Sequence, residues 1–324
     1  MKVISNNIIK SLSITPKQCT EWIYESFRLK AESQLPAKIS VHPREDDFFT
    51  SMPCLLPPIP FCGSDTKIRF FGIKEVHRIS GAVPSLGSDI LLYNAVNGEL
   101  LALIDADWIT SMRTGAVAAV SAKALRKCNG LTYGFVGLGN TARATLACML
   151  ELENDQIFNV KLLKYKNQAE EFIERFRNYN NVRFETVCDI KDLVNDSDVL
   201  VSCITSADGL FLADESNYPK GITIIPVHMR GFQNCDTVFD RVFGDDTDHV
   251  RNFKFFNQFK GYAEIGEVLA GRDIGRHNDM ERIIDYNYGL ALHDIVFASK
   301  IYQMLQDINV PDIIWEKEHQ KFWI

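Results

Sequence analysis

Residues 131–149 read LTYGFVGLGNTARATLACM, and this stretch decides the fold. Residues 131–136 have strand character. They run into Gly137-Leu138-Gly139-Asn140-Thr141-Ala142, and a good helix former follows over 141–152. Strand, glycine turn and helix together are the context in which G-x-G-x-x-G/A signals a dinucleotide site. Gly137 allows the tight turn and Gly139 lets the backbone approach a pyrophosphate. Ala142 lets the helix pack closely on the strand. The N–H groups of the helix start, at Asn140 and Thr141, face the anion. Without a ligand, the same string is an ordinary strand-to-helix turn with two glycines.

Downstream, strand-like runs at 160–165, 183–187, 199–203, 223–227 and 241–243 continue the pattern, with helical stretches at 167–177 and 189–195. This alternation predicts a doubly wound parallel sheet of Rossmann type, in the α/β class. Beyond Asp245-Asp246 we expect a loop-rich stretch, a short helix near 264–270 and a long helix over about 288–306. Upstream the character differs. Thr15-Pro16 opens a helix, with Thr15 as cap and Pro16 at the first helical position. Strands follow near Ile39–Val41 and at 67–76. A hairpin at Asn97-Gly98 joins strands at 90–93 and 100–104. A small-residue helix, AVAAVSAKALRK, leads into the glycine turn. The first hundred residues therefore predict a mostly antiparallel sheet with one leading helix.

Bulk composition narrows the function. The 324 residues suit two domains. A net charge of −7, with no Lys/Arg block, argues against nucleic acid as a partner. No apolar run is long enough to span a bilayer, and the N-terminus lacks a signal-peptide core. We therefore expect a cytoplasmic protein without a membrane partner. The eight cysteines are scattered with no C-x-x-C, as reduced thiols would be. The histidines form no H-x-x-x-H pair, so no metal is expected.

The second strand of an NAD site normally ends in an acid that binds the adenosine ribose. Here it ends in Lys164-Tyr165-Lys166. Either these lysines, with Arg143, favour the 2′-phosphate of NADP(H), or they are a solvated strand end and cofactor choice lies elsewhere. Three further cations are awkward for a core: Arg44 after a proline, Lys74 inside an apolar strand, and Arg113 at the head of the small-residue helix. Each could be a surface ion pair. Together they could clamp a carboxylate, and a lysine desolvated among cations has a lowered pKa suited to proton transfer.

Met112-Arg113-Thr114-Gly115-Ala116, the following AAVSAKAL and the glycine turn resemble the ornithine cyclodeaminase/mu-crystallin family. So do Pro43-Arg44, Met52-Pro53, Gly72-Ile73-Lys74, Thr205-Ser206, Asp245-Asp246, Glu264-Ile265-Gly266-Glu267-Val268, Gly275-Arg276 and Gly289-Leu290-Ala291-Leu292-His293-Asp294. The resemblance implies an NAD(P)(H)-dependent enzyme of amino acids or their imines, acting as a homodimer. It implies a substrate-binding and dimerisation domain over 1–115, completed by about 300–324, and a Rossmann domain over 116–299. Arg44, Lys74 and Arg113 would hold the substrate carboxylate, Lys74 also moving a proton, and Thr205 and Ser206 would lie near the nicotinamide or ribose. Asp294 would face the nicotinamide or favour its helix dipole.

This chain departs from the cyclodeaminase pattern at two places. An arginine, Arg230, stands where cyclodeaminases carry the aspartate that handles the side-chain amine, and Thr50 replaces a glutamate. Arginine cannot accept a proton or attract an ammonium group. Arg230 could bind a second anionic group, making the substrate a dicarboxylate or an N-carboxyalkyl amino acid. It could instead pair with an acid such as Asp236 or contact the cofactor. Ornithine cyclodeaminase activity and non-catalytic binding of a small acid, as in mu-crystallin, are the rival readings.

Overall fold

The computed structural model describes residues 1–205, 207, 209–212, 214–228, 230–232 and 236–324. The chain divides into two compact units. One comprises Met1–Ile14, Leu29–Thr110 and Ala291–Ile324; the other comprises Thr15–Arg28 and Ser111–Leu290.

The first unit is built on a six-stranded sheet. Its order is Lys2–Ile4, Leu100–Asp105, Leu86–Asn94, Phe70–Arg78, Phe48–Leu55, Ile39–Val41. The expected antiparallel character holds, except that Lys2–Ile4 runs parallel to its neighbour. Gly98 has φ +74 in the tight connection at Asn97-Gly98. The strand expected over 67–76 is split: Lys67–Ile68 pairs with Ile59–Pro60 in a separate two-stranded sheet, and Phe70–Arg78 enters the main one. Alternation sets the two faces. Phe70, Gly72 and Lys74 point to the face covered by the final helix, Ala291–Met304; Phe71, Ile73, Glu75 and His77 point to the other. Gly72 is required there, because a Cβ would collide with Ile295 of that helix.

The second unit holds an eight-stranded parallel sheet. Its order is Val182–Val187, Phe158–Leu163, Thr132–Val136, Val199–Ser202, Thr223–Pro226, Ile283–Tyr286, Arg241–Gly244, Ala263–Glu264. The first five follow the 3-2-1-4-5 order of a dinucleotide-binding sheet, with the switch point between Thr132–Val136 and Val199–Ser202. The central strands are buried along their length, Thr132 alone being half-buried, as fits a sheet covered on both faces. The strand Ile283–Tyr286 was not expected. It lies in the stretch read as loop-rich, yet hydrogen-bonds between Thr223–Pro226 and Arg241–Gly244.

Pro16–Leu29 belongs almost wholly to this second unit. Thr15 caps it reciprocally: the Gln18 N–H donates to Thr15 Oγ1 at 3.1 Å, and the Thr15 N–H donates to Gln18 Oε1 at 2.9 Å. The small-residue helix, Asp107–Leu125, shows why it is small. A Cβ on Gly115 would lie 2.5 Å from the Thr145 nitrogen and 2.6 Å from the Ala144 carbonyl carbon, so it crosses the next helix backbone to backbone. No helix among the described residues is long and apolar enough to cross a membrane.

Candidate active site

In the second unit the glycine turn sits at the switch point. Gly137 has φ +76, and a Cβ there would lie 2.8 Å from the Ile204 nitrogen and 2.9 Å from the Cys203 carbonyl carbon. Glycine is thus demanded twice, by conformation and by the neighbouring strand end. That contact brings the 203–205 segment, with exposed Thr205, alongside the turn. Ser206 lies outside the described residues.

Gly139 differs. Its φ is −78 and a Cβ there would meet none of the described residues within 4 Å, so neither conformation nor the described neighbours require glycine. It is the exposed N-cap of the helix Asn140–Leu152. No side chain caps that end, and the first turn carries no acid. Orphan N–H groups at such an end suit an anion. Asn140 is exposed, Thr141 half-buried, and Ala142 is buried. The residues present therefore fit a dinucleotide pyrophosphate: open space beside Gly139 and unclaimed donors behind it.

The second strand is Phe158–Leu163. Lys164, Tyr165 and Lys166 follow it, all exposed, and Lys166 adopts φ +50. Arg143 stands one turn into the glycine-turn helix, with a loose contact of 3.6 Å to Glu171.

Arg113 is only 6% exposed. Its guanidinium packs on the Cα of Gly289, which has φ +88 and no room for a side chain. The Gly289 N–H donates to Asp245 Oδ2 at 2.5 Å, so the Asp245 and Gly289 motif positions hold each other. Asp285, on the unexpected strand, is fully buried and accepts a bond from Asn287 Nδ2 at 2.8 Å. Burial raises its carboxyl to about 6, against the opposing pull of Ser121 and Asn287. Arg230 lies exposed in the turn after Thr223–Pro226. The side chain of Asp236, its suggested partner, lies outside the described residues.

In the first unit Lys74 is fully buried, and its Nζ donates to Asp294 Oδ1 at 2.8 Å. Asp294 is equally buried, in the first turn of Ala291–Met304. The sequence reading set Lys74 either among cations or in a surface ion pair; the structure gives it a carboxylate, but a buried one. The available signal was reciprocal: a lysine inside an apolar strand and an aspartate inside the apolar run ALHDIVFA each need a partner. Arg44 is 65% exposed and donates from Nε to Asp47 Oδ2 at 2.6 Å, as in its surface-pair reading. Asp47 also accepts from the Ser80 N–H at 2.7 Å, and these bonds, Ser80 first, hold its carboxyl below the usual range.

The profile of the ornithine cyclodeaminase/mu-crystallin family matches residues 3–224. The chain belongs to this family. Among family relatives, alanine dehydrogenase of Archaeoglobus fulgidus is 26% identical over 327 residues, covering 95% of this chain and 96% of the relative. N-((2S)-2-amino-2-carboxyethyl)-L-glutamate dehydrogenase of Staphylococcus aureus is 26% identical over 257 residues, covering 75% of each. The solved structure of Thermococcus litoralis Δ1-pyrroline-2-carboxylate reductase, in complex with NADH and L-proline, shares the fold. Its TM-score is 0.80 at 21% identity, covering 97% of this chain and 100% of that one. The family's sheet-and-Rossmann pairing is thus the architecture built here, and the motif positions Gly137, Arg113, Asp245, Gly289, Lys74 and Asp294 hold structurally defined places within the units.

Proposed function

We propose that this chain is an NAD(P)(H)-dependent oxidoreductase that moves hydride between the Cα of an amino acid, or its imine, and nicotinamide. The observation that carries the reading is the switch-point turn. Gly139 opens an uncapped helix start that no described residue occupies, in a family whose relatives are named as amino acid dehydrogenases and a Δ1-pyrroline-2-carboxylate reductase. In this reading Gly137, Gly139, Asn140, Thr141 and Ala142 seat the pyrophosphate, with Thr205 and Ser206 near the nicotinamide or ribose. The cofactor supplies the hydride carrier. The chain supplies the rest: Arg44, Lys74 and Arg113 grip the α-carboxylate, and Lys74 moves the proton at the substrate nitrogen. The first unit binds substrate and pairs two copies into a homodimer. The setting is the cytoplasm, in keeping with free thiols at every described cysteine.

Two finer assignments follow. Lys164 and Lys166, standing where an NAD site keeps an acid, favour NADP(H). Arg230 lies in the turn beyond the carboxyl end of Thr223–Pro226, the edge of such a sheet at which ligands bind. It supports a substrate with a second carboxylate, such as an N-carboxyalkyl amino acid, the class for which the S. aureus relative is named. The test is NADPH and NADH oxidation across a matrix of 2-oxo acids and amines. Faster oxidation of NADPH than of NADH supports the first assignment, and equal or slower oxidation overturns it. Turnover of a dicarboxylate imine, with KM raised by Arg230→Ala, supports the second; robust ornithine turnover releasing proline overturns it, and cofactor binding without oxidation by any pair overturns the proposed function.

A further inference from the structure

We propose that Asp294 is the positioning residue for Lys74: it fixes the lysine's rotamer and keeps its ammonium charged within the first unit. This rests on the reading of Lys74 as the proton-moving group. Lys74 is flanked in register by Met52 and Ile90, on strands that offer apolar neighbours. A lysine stem has four rotatable carbons, and a buried ammonium alone is strongly disfavoured. The final helix lies across this strand and both its neighbours, and places Asp294 in its first turn, where the helix dipole favours a negative charge. The resulting bond is 2.8 Å between two groups with no exposed surface. Of the described titratable groups near the pair, Cys54 on the adjoining strand is a neutral thiol. Burial, then Asp294, raises it to about 12. Asp294 is therefore the acid available to set the lysine's charge and direction, rather than a group that serves only its helix.

Isotope labelling tests this without substrate. The full-length protein is labelled with lysine carrying 15N at Nζ, the Lys74 signal is assigned by its loss in Lys74→Arg, and its chemical shift is followed by NMR across a pH series. Losing the carboxylate lowers the ammonium's affinity for its proton, so in Asp294→Asn the Lys74 profile moves at least one pH unit lower. Asp294→Glu returns it at least halfway. An unmoved profile in Asp294→Asn overturns the proposal. Kinetics on the substrate found above give the second arm. In Asp294→Asn, kcat falls at least tenfold and the Lys74 limb of kcat/KM moves to lower pH, while KM for NAD(P)H stays within twofold. A raised cofactor KM with an unmoved limb assigns Asp294 to the nicotinamide instead and overturns the proposal. If the wild type turns over nothing, the proposed function falls, and the labelling profile decides the role of Asp294 by itself.

Discussion

Asp285 is an acid placed where an aliphatic side chain would be expected, on a fully buried central strand. Its protonated form is the one the fold accommodates. Because burial raises the folded pKa from 3.8 to about 6, the stability this group confers is complete below about pH 4 and is lost as pH rises through 6. Asp285→Asn removes the ionisation. It should raise stability at pH 8 by on the order of 2–3 kcal/mol and change it little at pH 4, read from thermal melts at both values. A gain of equal size at both pH values would show that ionisation is not involved. At Lys164 and Lys166 the prediction concerns choice of cofactor. Lys164→Glu with Lys166→Glu should raise KM for NADPH by roughly tenfold or more, the loss of a charge-assisted contact, and leave KM for NADH within threefold. Equal effects on both cofactors would place the 2′-phosphate elsewhere.

The glycine turn and its helices make distinct demands. Gly137→Val meets backbone on the next strand and a left-handed φ, so the protein should lose several kcal/mol of stability. At Gly139→Val the added Cβ meets none of the described residues. Its melting temperature should stay within about 2 °C of wild type while NAD(P)H binding, followed by cofactor fluorescence, is abolished. Loss of stability at both positions would mean that Gly139 is structural. At the helix crossing, Gly115→Ala gains up to about 1 kcal/mol of helix propensity. It also drives a methyl into the backbone at Ala144 and Thr145, and overpacking of that kind exceeds the gain. A net loss of about 1–3 kcal/mol is expected in denaturant melts. These elements were legible because the turn is written in φ-specific residues, the crossing in small ones and the first helix in its Thr15-Pro16 cap. The strand Ile283–Tyr286 was not. Four residues buried on both faces show no alternation, and Asp285 breaks the one apolar run that could have marked it. The lysine–aspartate pair was half legible. Burial of Lys74 followed from its neighbours, but a partner 220 residues away is set by which face of the sheet the last helix covers.

At the scale of the molecule, the face of the first unit's sheet opposite the final helix carries Phe49 beside Val41 in register, with Ile39 one step along. These are 40%, 62% and 71% exposed. Neighbouring apolar side chains left this open mark an association surface, and in a homodimer the second copy covers them. Phe49→Asp with Val41→Asp should convert the proposed homodimer to a species of 36.8 kDa by light scattering. A wild-type monomer, or a double variant that stays dimeric, would remove this face from the assembly. The other unit carries a consequence for synthesis. Its sheet receives Ile283–Tyr286 as the link between Thr223–Pro226 and the pair Arg241–Gly244 and Ala263–Glu264, which join the sheet's ladder through it. A nascent chain that has released residue 264 thus holds a strand pair, Arg241–Gly244 with Ala263–Glu264, that still lacks its ladder to the rest of the sheet. The half proposed to seat the dinucleotide, 132–226, can close on the ribosome while its neighbour waits some twenty residues more. The glycine turn is then among the first parts of the enzyme to take shape and the Asp245–Gly289 clasp among the last, so cofactor can be captured by a chain still being made.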